Sequence, residues 1–147
     1  MIAELSREEG LRLLAAHRVG RIAFTFHDRV DIEPISYVYE DGWLYLRTSP
    51  GTKLTTVSHH PYVAFEIDEI RSASDWSSVV VHGTIYFLDP DRGEAERQAH
   101  AHALRVLRTL DAAALTGDDP TPHRQQLFRI RVDQLTARQA RPDSSFK

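Results

Sequence analysis

The chain has 147 residues, of which 41% are hydrophobic and 27% charged, with a formal charge of −3 and no cysteine. That balance describes one globular domain able to bury a core without staples. It excludes a disulfide framework, a thiolate metal site and a cysteine nucleophile, and it provides no field that would favour nucleic acid or an anionic membrane.

The N-terminus Met1-Ile2-Ala3-Glu4 lacks the basic and apolar regions of a signal peptide, and no run of 18 apolar residues exists. The expected location is the cytoplasm, in keeping with the missing cysteines.

In chain order, Ser6-Arg7-Glu8-Glu9 has the pattern of a capping box. Leu11, Leu14 and Ala15 follow at helical spacing, which predicts a helix over 7–17. Ile22, Phe24 and Phe26 alternate with Arg21, Ala23 and Thr25 as in a strand with one buried face. After a His27-Asp28 turn, the run from Val30 to Tyr39 reads as a second strand whose hydrophobic parity changes midway. Pro34 cannot donate to a ladder, so it marks an edge or a bulge and leaves backbone groups for a ligand. Asp41-Gly42 predicts a two-residue type I′ hairpin into a third strand, Trp43 to Thr48.

A short helix is expected over 52–59, ended by Pro61. Strands follow from Tyr62 to Ile70 and from Trp76 to Leu88, with Gly83 where a bulge would fall. A second helix, opened by Asp89-Pro90-Asp91, carries Ala95, Ala99, Ala103, Val106 and Leu110 on one face. Phe128, Ile130 and Val132 mark the last strand. The expected fold is mainly β with flanking helices: a six-stranded antiparallel barrel over 1–139, with 140–147 as a loose tail.

Two segments could carry chemistry. In Arg47-Thr48-Ser49-Pro50-Gly51-Thr52-Lys53, a strand end meets a glycine turn and a helix start. Unpaired amides there suit an anion, above all a phosphate, with Thr52, Lys53 and Arg47 adding donors and charge. The same residues equally serve a plain helix cap. This is no Walker loop, because the spacer and second glycine are missing. The second segment is Asp75-Trp76-Ser77-Ser78, a Trp and two hydroxyls opening a buried strand. It suits either a planar ligand or an ordinary core. Eight histidines are present, but His59-His60 and His100/His102 diverge on a helix, so no metal site is expected. No Gly-x-Ser-x-Gly motif occurs, and no catalytic side chain can be assigned.

The ordered set of segments resembles the pyridoxamine 5′-phosphate oxidase-like family of FMN-binding split barrels, in its small flavin-binding, nitroimidazole-reductase-like branch. The resemblance rests on Val19-Gly20-Arg21-Ile22-Ala23, Pro34-Ile35-Ser36-Tyr37, Asp41-Gly42-Trp43-Leu44-Tyr45, Gly51-Thr52-Lys53, His60-Pro61-Tyr62-Val63 and Trp76 through Gly83.

It implies a homodimer with FMN at the interface and no nucleic-acid or membrane partner. Arg47, Thr48, Ser49, Thr52 and Lys53 would be at the phosphate. Pro34, Ile35, Ser36 and Tyr37 would lie along the ring, and Trp76, Ser77 and Ser78 would complete the site from either subunit.

The implied activity is flavin-dependent oxidoreduction of a small molecule, with NADH or NADPH as candidate donor. The alternatives are a non-catalytic flavin carrier, or the same barrel holding a deazaflavin or haem. Two departures narrow the activity. The C-terminal Arg-x-His of the vitamin B6 oxidases is absent, and Arg47 stands where the nitroimidazole reductases carry a His.

Overall fold

Ser6 starts the first helix as its pattern requires. Its side chain accepts a hydrogen bond from the Glu9 amide, and the Glu9 side chain reaches back to the Ser6 backbone. The computed structural model describes residues 1–55 and 61–142. The elements are β1 (Ile2–Leu5), α1 (Arg7–Ala16), β2 (Val19–Phe26), β3 (Arg29–Ser36), β4 (Val38–Glu40), β5 (Trp43–Thr48), β6 (Tyr62–Ser72), β7 (Asp75–Phe87), α2 (Glu94–Leu107) and β8 (Gln126–Ala140).

The strands form one antiparallel sheet in the order β3-β2-β6-β7-β8-β5-β4, with β1 on β8. β8 organises it. One edge pairs with β7, while the other takes β5 along its first half and β1 along its last residues. The two ends of the sheet path, β3 and β4, are joined in the chain by Tyr37, so the sheet curls into a split barrel. No helix among the described residues is long and apolar enough to cross a membrane.

Among the described residues there are eight strands, against the expected six, for two reasons. Ile2–Leu5 is too short and too exposed to show a pattern, and it is a strand only because β8 extends past Val132 to meet it. Ala140, expected in the loose tail, is buried and paired with both Ile2 and Trp76.

The expected second strand divides at Tyr37. That residue's N–H donates to the Arg18 carbonyl, 2.9 Å, and its ring is fully buried edge-on to Phe65. Pro34 causes no bulge, because β2 and β3 pair in unbroken register from Val19↔Ser36 to Phe26↔Arg29. It lies on a sheet edge, as its missing N–H allows. The change of parity arises because Val30 and Ile32 face outward, 77% and 64% exposed.

Two turns follow their sequence signals. Asp41 and Gly42 both have positive φ, 50° and 86°, as a type I′ hairpin needs. The β7–β8 register shifts between His82 and Gly83, where an added Cβ would stand 2.0 Å from the Arg131 carbonyl oxygen. The barrel core includes Leu14, Ile22, Phe65, Leu46, Val81 and Phe128, and α2 covers a second cluster around Tyr45, Leu107 and Leu127.

The Tyr37 hydroxyl donates to the Leu14 carbonyl at 2.7 Å, one of the last α1 carbonyls without a helical partner. Tyr37→Phe should therefore lower unfolding free energy by about 1–2 kcal/mol while keeping the fold. Gly83→Ala should cost about 3 kcal/mol, because a backbone oxygen must move. Urea unfolding of both variants checks the order.

Candidate functional site

The site is built outward from the end of β5. Thr48 is buried at the strand end, and the chain then turns through Ser49, Pro50 and Gly51, whose φ is +77° with open space where a Cβ would be. Residues 53–55 make a single 3₁₀ turn, with the Thr55 amide donating to the Thr52 carbonyl, 3.1 Å. The rest of the helix expected over 52–59 lies outside the described residues.

Two side chains suit that role. Thr52 Oγ1 is buried and has no hydrogen-bond partner among the described residues. Lys53 Nζ lies 3.3 Å from Asp31 Oδ2 and 5.7 Å from the centre of the Phe26 ring. The lysine borders a hollow of about 560 Å³ together with Phe26, His27, Arg29 and Asp31 at the β2–β3 turn. An orphaned hydroxyl and, on the next residue, an ammonium follow the open glycine turn, and both are donor types that suit a phosphoryl oxygen.

Arg47 is engaged elsewhere. Its side chain is only 11% exposed, and its guanidinium meets Asp119 with contacts of 2.6 and 3.0 Å. It also donates to Asp111 at 3.2 Å and to Thr121 at 3.0 Å. The Asp119 carboxylate further accepts the Leu115 and Thr121 amides. This is a buried, nearly saturated ion pair that holds the guanidinium expected at the phosphate against Asp119 and Asp111. Arg47 and Ser36 do share a small cavity of about 190 Å³ with Thr121 and Arg124. Asp119 escaped sequence reasoning because it lies 72 residues from Arg47 in a segment readable only as a loop.

The remaining expected residues divide by strand parity. Pro34 and Ser36 share one face of β3, while Ile35 packs on the barrel core and Tyr37 lies within it. In β7, Trp76 and Ser78 share the outer face, and Ser77 is buried, 4% exposed. Register sets this group at the far end of the sheet from Lys53. Trp76 pairs with Ile70, whereas the Phe26 end of β2 aligns with the opposite end of β6. A single copy of the chain does not bring the two groups together.

The Asp119 carboxyl is held well below its ordinary range, first by the hydrogen bond from Arg47 and then by two amides. A folded-state pKa below the unfolded one gives stability that is present at neutral pH and lost as pH falls below about 4. Asp119→Asn should lower the melting temperature at pH 7 and flatten the acid limb of the stability profile. Thermal unfolding from pH 3 to pH 8 measures both.

Comparison with known proteins agrees with this geometry. The chain is 34% identical over 100 residues to uncharacterized protein RA0666 of Rhizobium meliloti, covering 68% of this chain and 66% of that one, just under two thirds of the relative's length. A FAD-binding protein from Mesorhizobium loti superposes with a TM-score of 0.75 at 28% identity, covering 96% of this chain and 99% of that one. A FAD-binding protein from Mycobacterium smegmatis gives 0.69 at 27%, covering 95% and 100%. The family model for pyridoxamine 5′-phosphate oxidase matches residues 6–139. With a split barrel, its hairpins and the strand-end turn all in that order, the chain belongs to the pyridoxamine 5′-phosphate oxidase family.

Proposed function

We propose that this protein binds a flavin nucleotide at the turn after β5 and works with it as a cytoplasmic oxidoreductase on a small molecule. The observation that carries the reading is the buried, unpartnered Thr52 hydroxyl next to Lys53 in the chain, supported by membership of the pyridoxamine 5′-phosphate oxidase family and by two structural relatives described as FAD-binding proteins. Thr52 and Lys53 would hold the 5′-phosphate, with Thr48 and Ser49 shaping the approach. The edge backbone of β3 at Pro34 to Ser36 would meet the polar side of the ring.

When bound, the flavin ring supplies the hydride and electron chemistry. The chain's own part is to bind, orient and exclude water, which agrees with the lack of any assignable acid or base. FMN is the smallest ligand meeting this description. FAD is the second reading, favoured by the two relatives that bind it at 27% and 28% identity. Vitamin B6 oxidation and nitroimidazole reduction are disfavoured by the missing C-terminal motif and by the engagement of Arg47 with Asp119.

The reading includes a homodimer. Val30, Ile32 and Tyr62 are 77%, 64% and 75% exposed on one sheet face. Val30 and Tyr62 border an apolar hollow of about 460 Å³ with Ala23, Ala64 and His82. A monomer gains nothing by wetting that surface, and a second copy would cover it. The partner would also supply Trp76 and Ser78, which one chain keeps away from Lys53.

Heat release and chromatography of the purified protein should yield FMN or FAD. Lys53→Ala should weaken flavin binding about 10- to 100-fold, the worth of a charge-assisted hydrogen bond. Unchanged affinity would remove the phosphate assignment. In stopped flow, NADH or NADPH should bleach the bound flavin, and failure of both donors would favour the carrier reading. Light scattering should report a dimer for the native chain and a monomer for Ile32→Glu.

A further inference from the structure

A second groove lies between β7 and the first turns of α2, with a volume of about 650 Å³. It shares no lining residue with the hollow beside Lys53. Tyr86, Leu88 and Ala99 give it an aromatic and aliphatic wall, and Arg92, Arg129 and Glu96 its charge.

Arg129 is the unusual member. It is half-buried on β8, with its guanidinium 3.9 Å from the centre of the Trp43 ring. Its Nε is buried and has no hydrogen-bond acceptor among the described residues. The half-buried Arg21 and Arg47 both lie against carboxylates at 3.2 Å or less. Arg129 has no carboxylate partner among the described residues; its side chain donates to the phenol oxygen of Tyr45, a group that burial pushes up. The groove thus sets two guanidiniums, Arg92 and Arg129, against one carboxylate, Glu96, and the partly desolvated Arg129 leaves it short of negative charge.

We propose that this groove binds a small aromatic carboxylate, with the acid on Arg129 and Arg92 and the ring against Tyr86. The charge of the lining selects the class. Two guanidiniums and the Glu96 carboxylate leave one net positive charge, which a monoanion neutralises and a phosphate dianion exceeds. Glu96 accepts the Asp89 amide at 3.0 Å, which holds it at the groove. Tyr86 is 46% exposed and edge-on to Trp43, so a bound ring would extend an existing aromatic contact. The volume is that of an ordinary small-molecule pocket.

Calorimetric titration of the protein as purified with 4-hydroxybenzoate, 4-hydroxybenzamide and inorganic phosphate tests the site. The acid should bind saturably, at least tenfold tighter than either the neutral amide or phosphate. Arg129→Gln should weaken the acid at least tenfold, Glu96→Gln should tighten it, and Lys53→Ala should leave it unchanged. No saturable heat with the acid, equal binding of the amide, tighter binding of phosphate, or loss on Lys53→Ala would each overturn the proposal. The three-ligand comparison needs only the native chain, so the test stands even if Arg129→Gln fails to fold.

Discussion

The corner after β5 depends on one buried guanidinium. Arg47 leaves the strand and is met by Asp119, whose side chain is 1% exposed and whose oxygens also accept two backbone amides. Removing either partner would strand a charge in a dry place, a much larger penalty than the pair's own net worth. The pair therefore serves specificity as much as stability. It ties the long connection between α2 and β8 to the end of β5, and so fixes where the chain must turn through Gly51 toward Thr52 and Lys53. The family's barrel supplies the strands, and this ion pair determines what their exit can do.

The barrel also leaves apolar side chains on both faces of its β2–β3 hairpin. Phe24 and Ile22 fill the inside, while Val30 and Ile32 are exposed on the outside. A sheet with one solvated face would alternate cleanly. This one does not, and that departure is the observation behind the proposed dimer. The same geometry separates Trp76 and Ser78 from Lys53 within one chain. Apolar exposure and divided site residues are the two features that the proposed second copy of the chain would account for.

Much of this was legible in the sequence where the signal is local. The Ser6–Glu9 capping box, the Asp41-Gly42 hairpin and the Gly83 bulge each depend on a few neighbouring residues, and each is formed. The family resemblance rested on the order of such pieces and holds over residues 6–139. What was not legible is long-range. β1 exists only because β8 runs on to pair with it, and Tyr37 divides a strand because its hydroxyl finds Leu14 across the core. An arginine at a strand end suits an anion, so the sequence points Arg47 at a phosphate and not at a carboxylate of its own chain. Nothing near it in the chain announces Asp119. The outward parity of Val30 and Ile32 looks like a slip at Pro34, since a hydrophobic pattern does not distinguish a buried face from an exposed apolar one.

The central claim is that the phosphate is the handle by which this protein holds its flavin, through Thr52 and Lys53. The most direct test is a comparison of FMN with riboflavin, which has the same ring and no phosphate, by fluorescence titration of the flavin-free native protein. The account predicts that riboflavin binds weaker by about 10-fold or more, the worth of the charge-assisted contacts it cannot make. Equal affinity for the two would contradict it, since the ring alone would then carry the binding.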